Sequence, residues 1–470
     1  MSNANSTRFC FSGDTVLSIE HMELTTIPRI ISRPEHPVSR SMISPNALKV
    51  LCRLKENGHI AYLVGGCVRD LLLGREPKDF DVATDATPGQ MKKLFRNCRL
   101  VGRRFRLAHL HFKDEIIEVA TFRAPAPDEE ETGQLSIPDA AEPPDQPRHV
   151  VSDEGVVLRD NLFGTPAEDA MRRDFTVNAL AYDITDFSII DYVGGMEDLE
   201  RGMIRTIGDP MVRFTEDPVR MLRAIRFAAL LGFTMEETTW HALVENAPAI
   251  TRASAPRLYE EILKLFLSGE GERSYQIMRQ VEMFTHLFPG LSARLDQESE
   301  GFPHVGMGRG LEWVDRRIGA GETVSSSLLL ALMFGGYLKE RAACLRGAGR
   351  PPQEALNEVV AVFLGEQAPL VAIPHRVGLS MREILALQGR LRKIPGKRPQ
   401  GVLARPGFND ALSYLRCRCE ITGEGGDVLA WWERYAQDKV LPPVKEESEP
   451  GRKGRPRRRR RRRKTAADPA

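Results

Sequence analysis

The sequence has no apolar run near the roughly 18 residues that would suggest a membrane-spanning helix. Its opening stretch, Met1 to Ser41, is rich in Ser, Thr and Pro and lacks the basic-then-apolar pattern of a secretory signal. A disordered lead-in over residues 1–43 is expected, with no membrane insertion. Cysteine is sparse: Cys10, Cys52, Cys67, Cys98, Cys344, Cys417 and Cys419, an odd and scattered set that argues against a disulfide framework. Cys417-x-Cys419 has no second ligand pair near it, so reduced thiols and a cytoplasmic location are expected. The chain shows no internal repeat.

Net charge is also nearly absent, at +2 from 66 basic and 64 acidic residues. That balance conceals a strong asymmetry. Eleven Lys/Arg fall between Arg452 and Lys464, with Arg457 to Arg463 consecutive. Without them the rest of the chain carries about −9. A cationic end on a mildly anionic body points to a polyanionic partner. The opposite bias appears in Ala124 to Glu154, with nine acidic residues, one arginine and six prolines. This segment reads as a flexible acidic insert.

Of what is present, hydrophobic residues make up 42% of the 470, enough for two to four domains. Leu48, Leu51 and Leu54 give a helical period that begins after Ser44-Pro45 and ends at Gly58. Ala61 to Val64, Phe80 to Ala83, Arg106 to Phe112, Ile116 to Phe122, Leu180 to Ile184 and Ile189 to Tyr192 read as strands, and Cys67 to Leu73 as a helix. From Asp217 onward the periodicity is helical: Pro218 to Leu231, Met235 to Ala247, Pro256 to Leu267 and Glu270 to Val281. It continues, less clearly, through Ser325 to Leu338, Pro352 to Leu364, Met381 to Arg392 and Asp427 to Gln437. The expected fold is α+β, a mixed sheet with helices followed by an all-helical remainder and a basic tail.

Three motifs carry chemistry. In the first, Gly65 and Gly66 follow a strand and open a helix bearing Arg69, so backbone N–H groups can approach phosphates. Asp79 and Asp81 follow, two residues apart. On a strand they would share a face, and two carboxylates so placed suit a hard dication such as Mg²⁺. The second is Arg172-Arg173-Asp174-Phe175-Thr176-Val177-Asn178. Its guanidinium forks fit phosphate oxygens, while Asp174 and Asn178 could hold ribose hydroxyls or cap a helix. The third is Glu216-Asp217-Pro218-Val219-Arg220, with Asp217 placed as an N-cap before Pro218 and Arg220 one turn on. An aspartate acceptor beside an arginine donor matches the edge of adenine, and of cytosine, and excludes uracil and guanine. Arg223 and Arg226 continue that helix toward primer or triphosphate.

Together these motifs resemble the tRNA nucleotidyltransferase/poly(A) polymerase family of the polymerase-beta-like nucleotidyltransferase superfamily. The resemblance runs from about Tyr62 to Gly269. It implies a palm-like head with helical neck and body: a head over 44–206 carrying the insert 124–154, a neck over 207–270, a body over 271–441 and a disordered Arg-rich tail over 442–470. It implies that Asp79 and Asp81 bind two Mg²⁺, for which Mn²⁺ can substitute, and that the R-R-D element contacts the sugar and triphosphate of ATP. It also implies that Asp217 and Arg220 read the base. A third acid completes such sites, and Glu118 stands alone in an apolar strand; a metal-proximal or base role and a salt bridge to Arg123 or another arginine are both open.

Within the family, Leu100 to Leu110, including Arg103 and Arg104, and Pro256 to Leu265 resemble the poly(A) polymerase branch. With no His-Asp dipeptide, the phosphohydrolase domain appended to some CCA-adding enzymes is not expected. The tail, including Arg457, Arg460 and Arg463, would bind RNA without sequence preference. The expected activity is adenylyl transfer from ATP to single-stranded RNA 3′ ends, linked to RNA-decay machinery. CCA addition to tRNA is the first alternative, and a non-catalytic RNA-binding protein on a degenerate head is the second.

Overall fold

A computed structural model describes residues 27–102, 106–124, 149–151, 157–160, 163–297, 305–396 and 398–438. Its strands are β1 (Arg29–Ile31), β2 (Ala61–Val64), β3 (Asp81–Thr84), β4 (Cys98–Val101), β5 (Leu107–His111), β6 (Ile116–Thr121), β7 (His149–Val151), β8 (Val157–Asp160), β9 (Ala181–Tyr182), β10 (Ile189–Asp191), β11 (Met203–Ile204) and β12 (Thr234–Met235). Eight of them make one sheet in the order β1-β10-β9-β2-β3-β6-β5-β4. The β3–β6 pair is parallel and its other neighbours are antiparallel.

Alternation along the strands separates two faces. In β6, Ile117, Val119 and Thr121 are buried, whereas Glu118 and Ala120 are only partly so. The buried side faces helix α1 (Pro45–Glu56), which packs on β2 and β3 through a stripe including Ala47, Val50, Leu51 and Leu54. The start of α1 is set locally: Pro45 needs no N–H partner, and the Ser44 hydroxyl accepts from the N–H groups of Asn46 and Ala47. On the other face Val64, Ala83, Phe122, Ala181 and Ile190 form a smaller apolar cluster. That cluster lies beside the carboxylates.

The remaining head helices are α2 (Gly66–Leu72), α3 (Pro88–Leu94), α4 (Pro166–Met171) and α5 (Gly195–Arg201). Helices then dominate: α6 (Pro210–Glu216), α7 (Val219–Leu231), α8 (Glu237–Asn246), α9 (Ala255–Phe266) and α10 (Gly271–Gln280), followed by nine more to Asp438 among the described residues. The short parallel β11–β12 pair is an exception inside this helical stretch. The chain divides into two compact units, residues 1–382 and 383–470. In the second, Trp432 is buried with Phe408 against it, and its indole N–H donates to the carbonyl of Leu391 at 2.8 Å. Among the described residues no helix is long and apolar enough to cross a membrane.

Three expectations need correction. The lead-in is not all disordered: β1 pairs with β10, and Ile31, His36 and Val38 are buried. Three residues are too short a run to show a period, and pairing to a distant strand supplies the order. The strand expected from Phe80 starts at Asp81, so Asp79 precedes the strand rather than alternating along it. The acidic insert ends early, because β7 forms a hairpin with β8. Most of the insert, Arg103, Arg104 and the tail with Arg457, Arg460 and Arg463 lie outside the described residues.

Candidate active site

Sheet register builds the acidic part of the site. In the parallel β3–β6 pair, Asp81 stands opposite Glu118, so both carboxylates leave the same face side by side. Burial, with Glu118 and Asp79 nearby, pushes the Asp81 carboxyl up to about 6 against the pull of Arg173. Like charges crowded into a half-buried position raise a carboxyl in this way, and a bound cation relieves the repulsion. Among the described residues the charged partner of Glu118 is not an arginine but His109, on β5, whose Nε2 lies 3.3 Å from Glu118 Oε1.

Among the described residues no three acidic, histidine or cysteine side chains close on one point to enclose a metal unaided. That arrangement still fits Mg²⁺, which is ordinarily held by one or two carboxylates together with substrate phosphates.

The glycine turn lies beside this row. Gly65 has φ +81°, a backbone that favours glycine. A Cβ there would come within 3.0 Å of Arg173 Nη1, whereas one at Gly66 would meet only ordinary contact with Arg69. Gly65 is therefore the sterically required member of the pair.

The R-R-D element is divided in its duties. Arg173 donates to Asp169 Oδ2 at 3.0 Å and to the carbonyl of Asn178 at 3.3 Å, close to the glycine turn and to Asp81. Arg172 sits among Arg123, Arg213 and Arg220; burial first, then their repulsion, brings its guanidinium down to about 10. Such a cluster favours an anion.

Asp174 and Asn178, expected to hold ribose or cap a helix, are buried. Asn178 accepts from Arg69 Nη1 at 2.6 Å and donates to Asp174 Oδ1 at 3.2 Å. Arg223 Nε donates to Asp174 Oδ2 at 2.6 Å. Burial alone would raise the Asp174 carboxyl, but Arg223, Asn178 and the Phe175 N–H bring it down to about 2. Arg69 is buried, with its Nε and Nη2 on Asp70, and its guanidinium lies over the Phe227 ring, as do those of Arg223 and Arg226. This network ties α2 to α7.

The third motif differs from the N-cap expectation. Pro218 occupies the position before α7, and the Asp217 side chain instead receives two hydrogen bonds from Arg257, at 2.9 and 2.8 Å. Only the Asp217 carbonyl serves the helix, accepting from the Arg220 N–H at 2.9 Å. Arg220 donates to Glu216 and to the carbonyl of Arg213, both at 2.9 Å. Arg257, Glu216, His109, Glu261 (bound by Arg226 at 2.6 Å) and Phe227 thus support the site without having been assigned roles from sequence. Only the hairpin spacing, which sets His109 opposite Glu118, was open to a register argument.

A glycine turn at a helix start, a row of carboxylates on a mixed sheet and a helical neck bearing arginines define a template-independent nucleotidyltransferase. Three family profiles match: "Poly A polymerase head domain" over residues 61–205, "Probable RNA and SrmB- binding site of polymerase A" over 232–295, and "Polymerase A arginine-rich C-terminus" over 348–465. The chain is 42% identical to Poly(A) polymerase I of Salmonella typhi, covering 86% of this chain and 85% of that protein. It is 40% identical to Poly(A) polymerase I of Haemophilus influenzae, covering 86% and 87%. The CCA-adding enzyme of Bacillus pumilus matches at 36% over 55% of this chain and 59% of that one. The structure of the Bacillus stearothermophilus CCA-adding enzyme in complex with CTP superposes with a TM-score of 0.59 at 26% identity, covering 85% and 84%. The chain belongs to the bacterial poly(A) polymerase family, whose members use divalent metal ions.

Proposed function

We propose that this enzyme extends single-stranded RNA 3′ ends with AMP from ATP in the cytoplasm, releasing pyrophosphate. The observation that supports this most directly is the row of Asp81 and Glu118 beside Arg173 and the glycine turn. Asp79 and Asp81 would hold two Mg²⁺, or Mn²⁺ in their place, with Glu118 alongside. When bound, these ions supply Lewis-acid stabilisation of the attacking 3′-hydroxyl and the leaving phosphate oxygen. Arg172 and Arg173 orient the triphosphate, and the turn at Gly65 brings backbone near it. The chain of Arg69, Asn178, Asp174 and Arg223 fixes the neck helix on the head. Asp217 accepts from the adenine N6 amino group and Arg220 donates to N1, each held at its angle by Arg257 and Glu216. The tail arginines, with Arg103 and Arg104, hold the RNA backbone.

Asp79→Ala with Asp81→Ala abolishes transfer on this reading while leaving the melting temperature near wild type; undiminished transfer would end it. Primer extension with ATP or CTP, on oligo(A) and on tRNA lacking its 3′ end, separates the branches. Long ATP-dependent tails on oligo(A) support the proposal. Addition limited to two C residues and one A on tRNA would assign the chain to CCA addition.

A further inference from the structure

The carboxylate row does not stop at Glu118. Across the antiparallel β5–β6 pair His109 stands directly opposite Glu118, and across β4–β5 Arg99 stands opposite His109. Residues in register leave a sheet on one face. Arg99, His109, Glu118 and Asp81 therefore form a line over four adjacent strands, basic at one end and acidic at the other. His109 Nε2 lies 3.3 Å from Glu118 Oε1. The imidazole is mostly covered, at 22% exposure, whereas the Glu118 side chain is 46% exposed. The more exposed carboxylate thus abuts the more covered ring.

A glutamate has three side-chain torsions to lose, and holding one costs entropy. Asp81 and Glu118 also stand directly opposite each other on β3 and β6, and like charges so placed repel. Left alone, Glu118 would turn outward to solvent, away from Asp81. The mostly covered His109 ring, 3.3 Å from one carboxylate oxygen, opposes that turn. Such supporting contacts commonly orient metal-site carboxylates.

We propose that His109 is a positioning residue that holds Glu118 beside Asp81 for divalent-metal binding and nucleotidyl transfer. This rests on the reading of Asp79, Asp81 and Glu118 given above. The test uses the full-length enzyme with His109→Ala, His109→Gln, Glu118→Gln and the His109→Ala/Glu118→Gln double variant. Two quantities are read: Mn²⁺ binding with a non-hydrolysable ATP analogue, followed by electron paramagnetic resonance of the free ion, and kcat and KM for ATP on oligo(A).

His109→Ala should weaken Mn²⁺ binding about tenfold and lower kcat about 10- to 100-fold, in the usual range for such supporting residues, with KM nearly unchanged. His109→Gln, which keeps an N–H donor, should recover most of both. In the Glu118→Gln background, removing His109 should cost nothing more. Wild-type kcat and Mn²⁺ binding in His109→Ala would overturn the proposal. So would an equal loss in His109→Gln, or an additive loss in the double variant. If the Asp79→Ala/Asp81→Ala enzyme still transfers AMP, the underlying reading fails; if that enzyme is dead and His109 is indifferent, only the positioning role fails.

Discussion

Two residues decide how tightly the site is built. Gly65 combines φ +81° with a 3.0 Å approach to Arg173 that any Cβ would make. Gly65→Ala should cost about 1–3 kcal/mol of backbone strain and reduce transfer by shifting Arg173. Denaturant melts and primer extension check the two effects, and Gly66→Ala, which meets only ordinary contact, is the milder control. Asp174 is buried and answers Arg223. Asp174→Asn removes the charge nearest that guanidinium, which is a third exposed, a loss of about 1.5–3 kcal/mol for a charge-assisted hydrogen bond. The folded carboxyl lies at about 2, below its unfolded value. Its contribution is therefore complete above an unfolded pKa of about 3.9 and fades as pH falls toward 2. Urea unfolding at pH 7, 4 and 3 should show the gap between wild type and Asp174→Asn narrowing only at the acid end.

At the level of elements, the sheet is completed by its smallest pieces. β1 is three residues long, yet it closes the edge beside β10 and carries Ile31 inward while Ile30 faces out at 51% exposure. Ile31→Asp should lower stability by at least about 2 kcal/mol, the scale of burying an unsatisfied polar group. Ile30→Asp should be nearly silent, and equal melts for the two would show that β1 does not pack as described. The β3–β6 register matters more for chemistry. A slip of one residue would send Glu118 into the α1 core and away from Asp81. The large, apolar Ile117 and Val119 oppose that slip, so the core on one face fixes the carboxylate row on the other.

Over the whole molecule, charge is partitioned between a mildly anionic remainder and a cationic end. Eleven positive charges between Arg452 and Lys464 can neutralise several phosphates. A chain ending at residue 441 should bind oligo(A) with a shallower dependence on salt. For single strands the slope falls by about 0.7 for each phosphate that is no longer neutralised. Fluorescence anisotropy at several salt concentrations measures that slope. ATP turnover at saturating primer should change little.

The sequence alone displayed the candidate motifs, because Gly65, Asp79, Asp81, Arg172, Arg173, Asp217 and Arg220 lie within short local patterns. It also determined α7 to α10, whose period repeats over several turns, whereas the helices Val305–Gly319 and Phe408–Thr422 were not seen. Strand limits were legible to within a residue or two for β2, β3, β5 and β6, where alternation or apolar runs are clear, and β1 and β4 were not seen. The supporting residues were illegible for a different reason. Arg257 meets Asp217 across 40 positions, Arg223 meets Asp174 across 49 and Arg69 meets Asn178 across 109. No local period encodes such pairs. Only the folded sheet and the helices packed on it decide which side chain faces each carboxylate, because burial of the apolar stripes sets those positions and the charged groups must then pair with whatever packing brings near.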